Sequence, residues 1–168
     1  MEYIHHYVSP LGRITIAGTE TAITGLWFDG QKYFGDTLSP CCEEKDLPVF
    51  KQADIWLNIY FSGKAPDFTP PIYLNATDFR KAVWEILLKI PYGKTITYGN
   101  IASEIAKQRG VPHMSAQAVG NAVGRNPISL IIPCHRVVGA DGNLTGYAGG
   151  IDKKTKLLAL EKAEICTK

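Results

Sequence analysis

The first thirty residues of the chain alternate between apolar and polar positions. Short runs of this kind are separated by turn-forming residues at 9–12 and 18–20. Because successive side chains of a strand point to opposite faces, the pattern predicts three antiparallel strands joined by tight turns. The alternating positions are Tyr3, His5, Tyr7, Ile14, Ile16, Ile23, Leu26 and Phe28.

Two later segments have the spacing of amphipathic helices. Apolar side chains recur at helical intervals over residues 49–60, and the Ser-Gly pair at 62–63 ends that run. A second helix begins at Thr77 or Asp78, either of which can cap it, and ends at the Pro-Tyr-Gly turn of residues 91–93. The first of these helices is suited to cover the predicted sheet.

Two short helices joined by a connector follow, an arrangement typical of a helix-turn-helix. Thr97 caps the first, which runs to about Lys107, and Ser115 caps the second, over residues 116–124. The second helix is rich in alanine and glycine, which let a backbone approach another molecule closely. Close packing inside a core explains the same composition, and the residues alone leave both interpretations open.

The remaining sequence predicts strands, a turn and a last helix. Residues 128–132 have the continuous apolar pattern of a buried strand, and residues 137–138 form a second apolar pair. Asp141 and Gly142 indicate a hairpin turn, and Asp152 caps the final helix. Taken together, the elements predict a mixed fold, α/β (α+β).

A proline-rich stretch at residues 65–71 is the best candidate linker, because it follows a complete sheet-and-helix unit. It divides the chain into domains of residues 1–75 and 76–168. Charge changes sign nearby: residues 1–78 carry 5 basic and 10 acidic side chains, whereas residues 79–168 carry 13 basic and 6 acidic. The basic part is therefore expected to attract a polyanion such as nucleic acid.

The composition is that of an ordinary folded protein. With 168 residues, of which 45% are hydrophobic and 20% charged, the chain is neither disordered nor collagen-like. No apolar run approaches the roughly 20 residues of a membrane helix and no secretory signal is present, so we expect a cytoplasmic protein with no membrane partner. The four cysteines form no C-x-x-C pair, so an essential one is expected to be reactive. They are Cys41, Cys42, Cys134 and Cys166.

Cys134 stands between Pro133 and His135, with Arg136 next. A thiol near imidazole and guanidinium groups tends to lose its proton, and the thiolate is the nucleophilic form. A small buried structural cysteine is the alternative, since neighbouring side chains of a strand point to opposite faces and need not touch. These four residues alone leave the choice open.

The sequence around Cys134 resembles the signature of the O6-alkylguanine-DNA alkyltransferases, a family of suicide DNA-repair proteins. Residues 131–138 read IIPCHRVV, and agreement extends over about residues 78–165. The resemblance implies a ribonuclease-H-like antiparallel sheet with a helix in the N-terminal domain and a winged helix-turn-helix-like C-terminal domain. The other matching segments are Thr97-Tyr98-Gly99, Ile101-Ala102, Ala118-Val119-Gly120, Asn126-Pro127, Tyr147 with Gly149-Gly150, and residues 157–161 (LLALE).

The resemblance implies that Cys134 attacks the alkyl carbon on guanine O6 and keeps the alkyl group as a thioether. One molecule then repairs one lesion, with no metal or organic cofactor. It further implies that His135 acts through a water as the base toward Cys134 and that Glu161 orients His135, the nucleophile, base and orienter arrangement of covalent catalysis. Tyr98 corresponds to the tyrosine that protonates the leaving base, and Asn126 to an asparagine that lines the site.

From the residues alone, three of these side chains have plainer interpretations. Glu161 fits an exposed helix carboxylate, Asn126 a turn residue before proline, and Tyr98 an interface aromatic. The resemblance also implies a pocket for the guanine base. That pocket is formed by Tyr98, Val137, Tyr147, Ala148 and Gly149.

Double-stranded DNA carrying a flipped O6-alkylguanine is the partner that the resemblance implies, bound by a monomer. The recognition helix enters the minor groove, and the target base leaves the duplex. Gln117 stands where the family usually has an arginine finger, so we expect it to keep the finger role with weaker affinity or a changed salt dependence. The expected DNA-contacting residues are Gln117, Ala116, Ala118, Gly120, Thr97, Arg125 and Arg136.

Other assignments fit parts of the sequence less well. A DNA-binding regulator, or an alkyltransferase-like protein without chemistry, would not need Cys134, Tyr98 or Glu161. A cysteine hydrolase would need turnover and an oxyanion hole, for which the sequence has no further signature. Some members of the family bind zinc in the N-terminal domain, but the ligand-type residues of that region do not have a familiar spacing, so no metal is expected. Those residues are His5, His6, Cys41 and Cys42.

Overall fold

The computed structural model of the chain describes residues 1–164, so Cys166 lies outside the described residues. The chain forms two compact units. The first consists of residues 1–75 with residues 127–131, and the second of residues 76–126 with the chain from residue 132 onward. The polypeptide therefore enters the second unit at residue 76, returns to the first for a short segment, and then leaves it again.

The first unit is a four-stranded sheet with one helix. Its elements are β1 (Tyr3–Ser9), β2 (Gly12–Gly18), β3 (Ile23–Phe28), β4 (Glu43–Glu44) and α1 (Pro48–Phe61). β2 lies between β1 and β3 and pairs antiparallel with both, which confirms the three predicted strands. β4 pairs with β1 in parallel, so the sheet is mixed rather than wholly antiparallel as expected. The sequence gives no signal for β4 because its two glutamates carry no hydrophobic alternation.

Helix α1 packs against the sheet through one apolar face. Phe50, Ala53, Leu57 and Tyr60 are buried at helical spacing, as predicted for a covering helix. The ring of His5 on β1 stacks on Phe50, with 5.3 Å between ring centroids. Burial of these side chains removes apolar surface from water, which is the main favourable contribution to the folding of this unit.

Residues 127–131 belong to the first unit but are not the strand that their apolar pattern predicts. Leu26 donates its N–H to the Pro127 carbonyl at 2.8 Å and accepts a hydrogen bond from the Ser129 N–H at 2.9 Å. This single parallel bridge, between Leu26 and Ile128, is the only ladder contact given for the segment within residues 1–164. Leu130 then adopts φ 70°, which turns the backbone out of the extended conformation. The prediction of burial is confirmed, but the prediction of a strand over 128–132 is wrong.

The second unit is mainly helical. Its elements are α2 (Asp78–Leu88), β5 (Ile96–Thr97), α3 (Tyr98–Arg109), α4 (Ala116–Gly124), a single 3-10 turn (Cys134–Arg136), β6 (Val137–Val138) and α5 (Ile151–Leu160). Helices α2, α3 and α4 pack on one another, and β5 pairs with β6 in parallel. The helix pair α3 and α4 is the predicted helix-turn-helix-like arrangement.

Three of the four predicted helix caps of this unit are confirmed. Thr77 accepts a hydrogen bond from the backbone N–H of Arg80 at the start of α2, and Ser115 caps α4. Thr97 caps α3 in a reciprocal arrangement with Asn100. The prediction for Asp152 is wrong: α5 begins one residue earlier, after Gly150 at φ 97°, and Asp152 lies in its first turn.

Over residues 1–164, no helix has both the length and the apolar character needed to cross a bilayer.

The Thr97 cap leads to a test of stability. Replacing Thr97 by alanine removes the side-chain acceptor for the Asn100 N–H inside a buried site, and should lower the free energy of unfolding by about 1–2 kcal/mol in urea titrations. Ser103→Ala, at an exposed position of the same helix, should change it by less than about 0.5 kcal/mol. Equal losses in the two variants would mean that the cap has no special contribution.

Candidate active site

Cys134 opens the 3-10 turn of the second unit and is buried, with 6% of its surface exposed. The turn forms because the Arg136 N–H bonds to the Pro133 carbonyl at 3.0 Å. With about three residues per turn, its three side chains point in different directions around an axis instead of alternating across a strand. Cys134, His135 and Arg136 can therefore contact three different sets of partners.

The thiol of Cys134 is held in its protonated form at rest. Burial raises its pKa, and this outweighs the opposing effects of a hydrogen bond with the Asn126 side chain and of the positive charge of Lys154. The expectation that neighbouring cationic side chains would ionise the thiol is therefore wrong. The nucleophilic form has to be generated by a base.

The His135 imidazole is completely buried and contacts a buried carboxylate. Its Nε2 lies 2.6 Å from Glu161 Oε2. Burial alone would raise the pKa of Glu161, but hydrogen bonds and charges from His135 and Arg136 lower it to about 2. Because an ionised carboxylate only accepts hydrogen bonds, Nε2 carries the proton and Nδ1 is the basic nitrogen of the neutral ring. Burial also lowers the pKa of His135, with Arg136 and Lys154 adding to this and Glu161 opposing it.

Arg136 grips the same carboxylate. Its Nε donates to Glu161 Oε1 at 2.8 Å, Nη2 donates to Glu161 Oε2 at 3.2 Å, and Nη1 donates to the Ile90 carbonyl at 2.8 Å. The guanidinium is buried in this network. This placement argues against the DNA contact expected for Arg136. Glu161 is likewise not an exposed helix carboxylate but the buried residue that ends α5.

The turn after α2 completes the network. Gly93 donates its N–H to Glu161 Oε1 at 3.0 Å, from a backbone at φ 79°. A Cβ at this position would lie 3.3 Å from the Glu161 carbonyl, in a conformation that side chains rarely adopt. The Pro-Tyr-Gly sequence at 91–93, which predicts only a helix stop, therefore also supplies a hydrogen-bond donor to the site.

Asn126 and Tyr98 lie near the thiol. Asn126 follows α4, is buried, and donates from Nδ2 to the Ile132 carbonyl at 2.8 Å, two residues before Cys134. The Tyr98 hydroxyl donates to the Thr145 carbonyl at 3.3 Å, and burial raises its pKa, with the charge of Cys134 adding to the effect. Tyr98 therefore keeps its proton at neutral pH and can act as a donor.

Lys154 is a site residue that sequence reasoning missed. Its fully buried Nζ donates to the carbonyls of Val137 at 2.6 Å, Thr145 at 2.9 Å and Gly146 at 3.2 Å. Burial lowers its pKa to about 8, against the opposing effect of Cys134. A signal was present: Lys154 lies three positions before the buried Leu157, on the face of α5 where an apolar residue is expected.

The loop predicted to bind the base follows the carbonyls held by Lys154. Tyr147, Ala148 and Gly149 are all half-buried there. The Tyr147 ring stands edge-on to the His135 ring, with 6.4 Å between centroids. The buried Val137 faces the same lysine through its carbonyl. The structure thus brings this group of predicted pocket residues together with Tyr98, through its bond to Thr145.

Helix α4 presents small residues and Gln117 to solvent. Ala116 and Gln117 are exposed and Ala118 and Gly120 half-buried, whereas Val119, Ala122 and Val123 on the other side are in the core. Both interpretations of the small residues therefore apply, each to one face of the helix. Arg125 ends the helix at a half-buried position. Thr97 differs from the expectation: its side chain is 1% exposed and occupied in capping α3, so it is not available to DNA.

The ligand-type residues of the first unit have other partners. His5 pairs with Asp54 at 2.9 Å and His6 with Glu44 at 3.2 Å, while Cys41 and Cys42 are free thiols. Among residues 1–164, no group of three or more His, Cys, Asp or Glu side chains is arranged to hold a metal ion. The residues present do not fit a zinc site.

Both parts of the chain match known families. Residues 3–74 match the 6-O-methylguanine DNA methyltransferase, ribonuclease-like domain, and residues 78–163 match the DNA binding domain of the same name. Methylated-DNA--protein-cysteine methyltransferase of Mycobacterium tuberculosis is 46% identical over 155 residues, covering 92% of this chain and 89% of the relative. The protein of that name in Methanosarcina barkeri is 46% identical, covering 92% and 93%. The crystal structure of Mycobacterium tuberculosis OGT in complex with DNA has a TM-score of 0.81 at 44% identity, covering 95% and 92%.

The buried carboxylate leads to a prediction about acid stability. Because the pKa of Glu161 is lowered from 4.5 to about 2, its contribution to stability is present above pH 4.5 and is lost as the pH falls toward 2. Glu161→Gln should lower the free energy of unfolding at pH 7 by about 3–5 kcal/mol, since Arg136 is left buried without a counter-charge. It should also reduce the loss of stability below pH 4.5, measured by urea unfolding at several pH values.

Glu164→Gln is the control for this test, since Glu164 pairs with Lys94 at the exposed surface. It should change stability little at pH 7. A Glu161→Gln variant as stable as this control would contradict the importance of the buried carboxylate.

Proposed function

Since the chain belongs to the 6-O-methylguanine DNA methyltransferase family, we propose that Cys134 is the residue that receives the alkyl group of O6-alkylguanine in DNA. The protein is a DNA-repair methyltransferase that transfers the alkyl group from DNA to a cysteine of its own chain. The observation that carries the assignment is the placement of Cys134 directly before a buried His135–Glu161 pair. Cys41 and Cys42, the other described cysteines, belong to the ribonuclease-like domain.

The reaction is a single displacement. His135, neutral and protonated on Nε2, takes the thiol proton through a water, and the resulting thiolate attacks the alkyl carbon. The S–C bond forms as the bond between that carbon and guanine O6 breaks. The guanine leaves as an anion that takes up a proton, for which the Tyr98 hydroxyl is the donor. Because a thioether is a poor leaving group, the acceptor is not regenerated and each molecule acts once.

The raised pKa of the resting thiol supports this role for a base. A thiol that is protonated at rest and hydrogen-bonded to Asn126 reacts slowly with other electrophiles, because the thiolate is the reactive form. Its reactivity then depends on proton transfer within the site. Asn126 also ties the end of α4 to Ile132, next to the nucleophile.

The substrate base reaches the buried thiol by leaving the duplex, which costs a few kcal/mol and less for a damaged pair. The loop of residues 147–149 stacks on the extruded base, while Tyr98 faces its O6 edge. Lys154 supports this arrangement by holding the carbonyls of Val137, Thr145 and Gly146. The protein acts as a monomer, because one chain carries the whole set of groups that the displacement needs.

DNA binds along the exposed face of α4 in the minor groove, with Gln117 filling the gap left by the base. The small side chains of Ala116, Ala118 and Gly120 let the helix backbone come close to the DNA. The excess of basic residues beyond residue 78 provides the electrostatic attraction. Arg125, at the end of the helix, contacts the phosphate backbone.

Mass spectrometry of the protein mixed with a duplex that contains one O6-methylguanine tests the acceptor. The peptide bearing Cys134 should gain one methyl group in stoichiometric amount, without turnover. Cys134→Ser should gain none, whereas the Cys41→Ser, Cys42→Ser double variant should react like wild type. A methyl group on another peptide, or binding of the lesion without a gain in mass, would refute the assignment.

The unusual finger residue gives a second prediction. Gln117→Arg adds a positive charge on the proposed DNA face, so it should tighten DNA binding and steepen the plot of log affinity against log salt by about one unit. Fluorescence anisotropy over a range of salt concentrations measures both. Gln52→Arg adds the same charge at an exposed position of α1 and serves as the control. If both variants bind with the same affinity and slope, Gln117 does not lie at the DNA.

A further inference from the structure

Two cationic or potentially cationic side chains share one buried carboxylate. Glu161 accepts from His135 on Oε2 and from Arg136 on both oxygens, and Gly93 adds a backbone N–H. Both the Glu161 and His135 side chains are fully buried. Water therefore screens their interaction weakly, and the charge of each group depends strongly on the other two.

We propose that Arg136 is a positioning residue of the transfer reaction, which neutralises Glu161 and so keeps His135 uncharged and able to accept a proton. This proposal rests on the proposed function of His135 as the base toward Cys134. Arg136 itself touches neither the thiol nor the substrate. It acts through the carboxylate that it grips.

The argument follows from charge balance. A buried carboxylate with imidazole as its one nearby base would favour imidazolium, because an adjacent opposite charge shifts a titration by roughly one to three pH units. An imidazolium cannot take the thiol proton. The permanent charge of Arg136 satisfies the carboxylate instead, and the imidazole is left to hydrogen-bond to it as a neutral donor.

The other groups around His135 act in the same direction. Lys154 of α5 is a second positive charge that opposes protonation of the ring, and burial opposes it further. Tyr147 contributes a ring edge, and the Cys134 thiol is neutral at rest. Glu161 is the negative group that favours imidazolium, and Arg136 is bound directly to it.

Geometry adds a second effect. The fork of Arg136 holds both carboxylate oxygens while Nη1 is fixed to the Ile90 carbonyl, and the guanidinium lies 5.7 Å from the centroid of the Tyr92 ring. The plane of the carboxylate is thereby fixed, and with it the direction of the His135 ring. When His135 takes up the thiol proton, the imidazolium forms next to a carboxylate that is already oriented, and the proton is released again when guanine is protonated.

The test measures the imidazole directly in the full-length protein without DNA. Nitrogen NMR of ¹⁵N-histidine-labelled protein gives the pH at which His135 is half protonated, with its signals assigned from their loss in His135→Asn. Arg136→Gln should raise this pH by about one unit or more. Arg136→Lys, which keeps the charge but loses the fork, should restore most of the wild-type value. Arg13→Gln, which breaks an exposed pair with Asp29, is the matched control and should not change it.

The pH profile of single-turnover methyl transfer is the second readout. In Arg136→Gln the rise of the rate with pH should move upward by the same amount as the titration, so that the rate just below neutral pH falls about tenfold for each unit. A purely structural role predicts an equal loss at every pH and no movement of the titration, and would overturn the proposal.

Two further outcomes decide the proposal. An imidazole that is protonated at pH 7 in the wild type overturns it even if Arg136→Gln does not fold. An equal upward shift in Arg136→Lys and Arg136→Gln also overturns it, because both lose the fork but only one loses the charge. Failure of methyl transfer in the wild type would instead refute the proposed function, while the NMR titration would still decide what Arg136 does to His135.

Discussion

A buried carboxylate is the constraint on which the active site depends. Removing the charge of Glu161 from water is costly, and it is tolerated because three separate parts of the second unit supply donors: the turn after α2, the turn that carries the nucleophile, and the end of α5 itself. Each of these parts is therefore tied to the others through one side chain. Movement of any one would leave a charge without its partners.

Local chemistry explains why much of the fold can be predicted from the sequence. Thr77, Thr97 and Ser115 cap their helices through atoms two or three residues away, so their roles follow from neighbouring residues alone. The strands β1 to β3 alternate clearly because one side of each position is apolar. In contrast, β4 and the bridge at Ile128 depend on partners far along the chain, and neither leaves a periodic pattern.

The same distinction applies to the site. Cys134 and its immediate neighbours can be found from a short motif, yet the protonation state of the thiol cannot, because burial is a property of the whole fold. Arg136 follows the nucleophile by two residues and looks like a surface cation, but a carboxylate 25 positions later claims it. Lys154 is the counterexample, since a lysine on an apolar helical face is itself a local signal that the residue has an internal partner.

The course of the chain also limits how the protein can be divided. Residues 127–131 lie between Asn126 and the nucleophile in sequence, but they pair with Leu26 of the first unit. A cassette that starts at residue 76 would carry this segment away from its hydrogen-bonding partner, and a fragment that ends at residue 75 would leave Leu26 with an open edge. Exchange of the two halves between relatives therefore requires that Leu26 and this short segment come from the same parent, which makes them one unit of inheritance despite a separation of about a hundred residues.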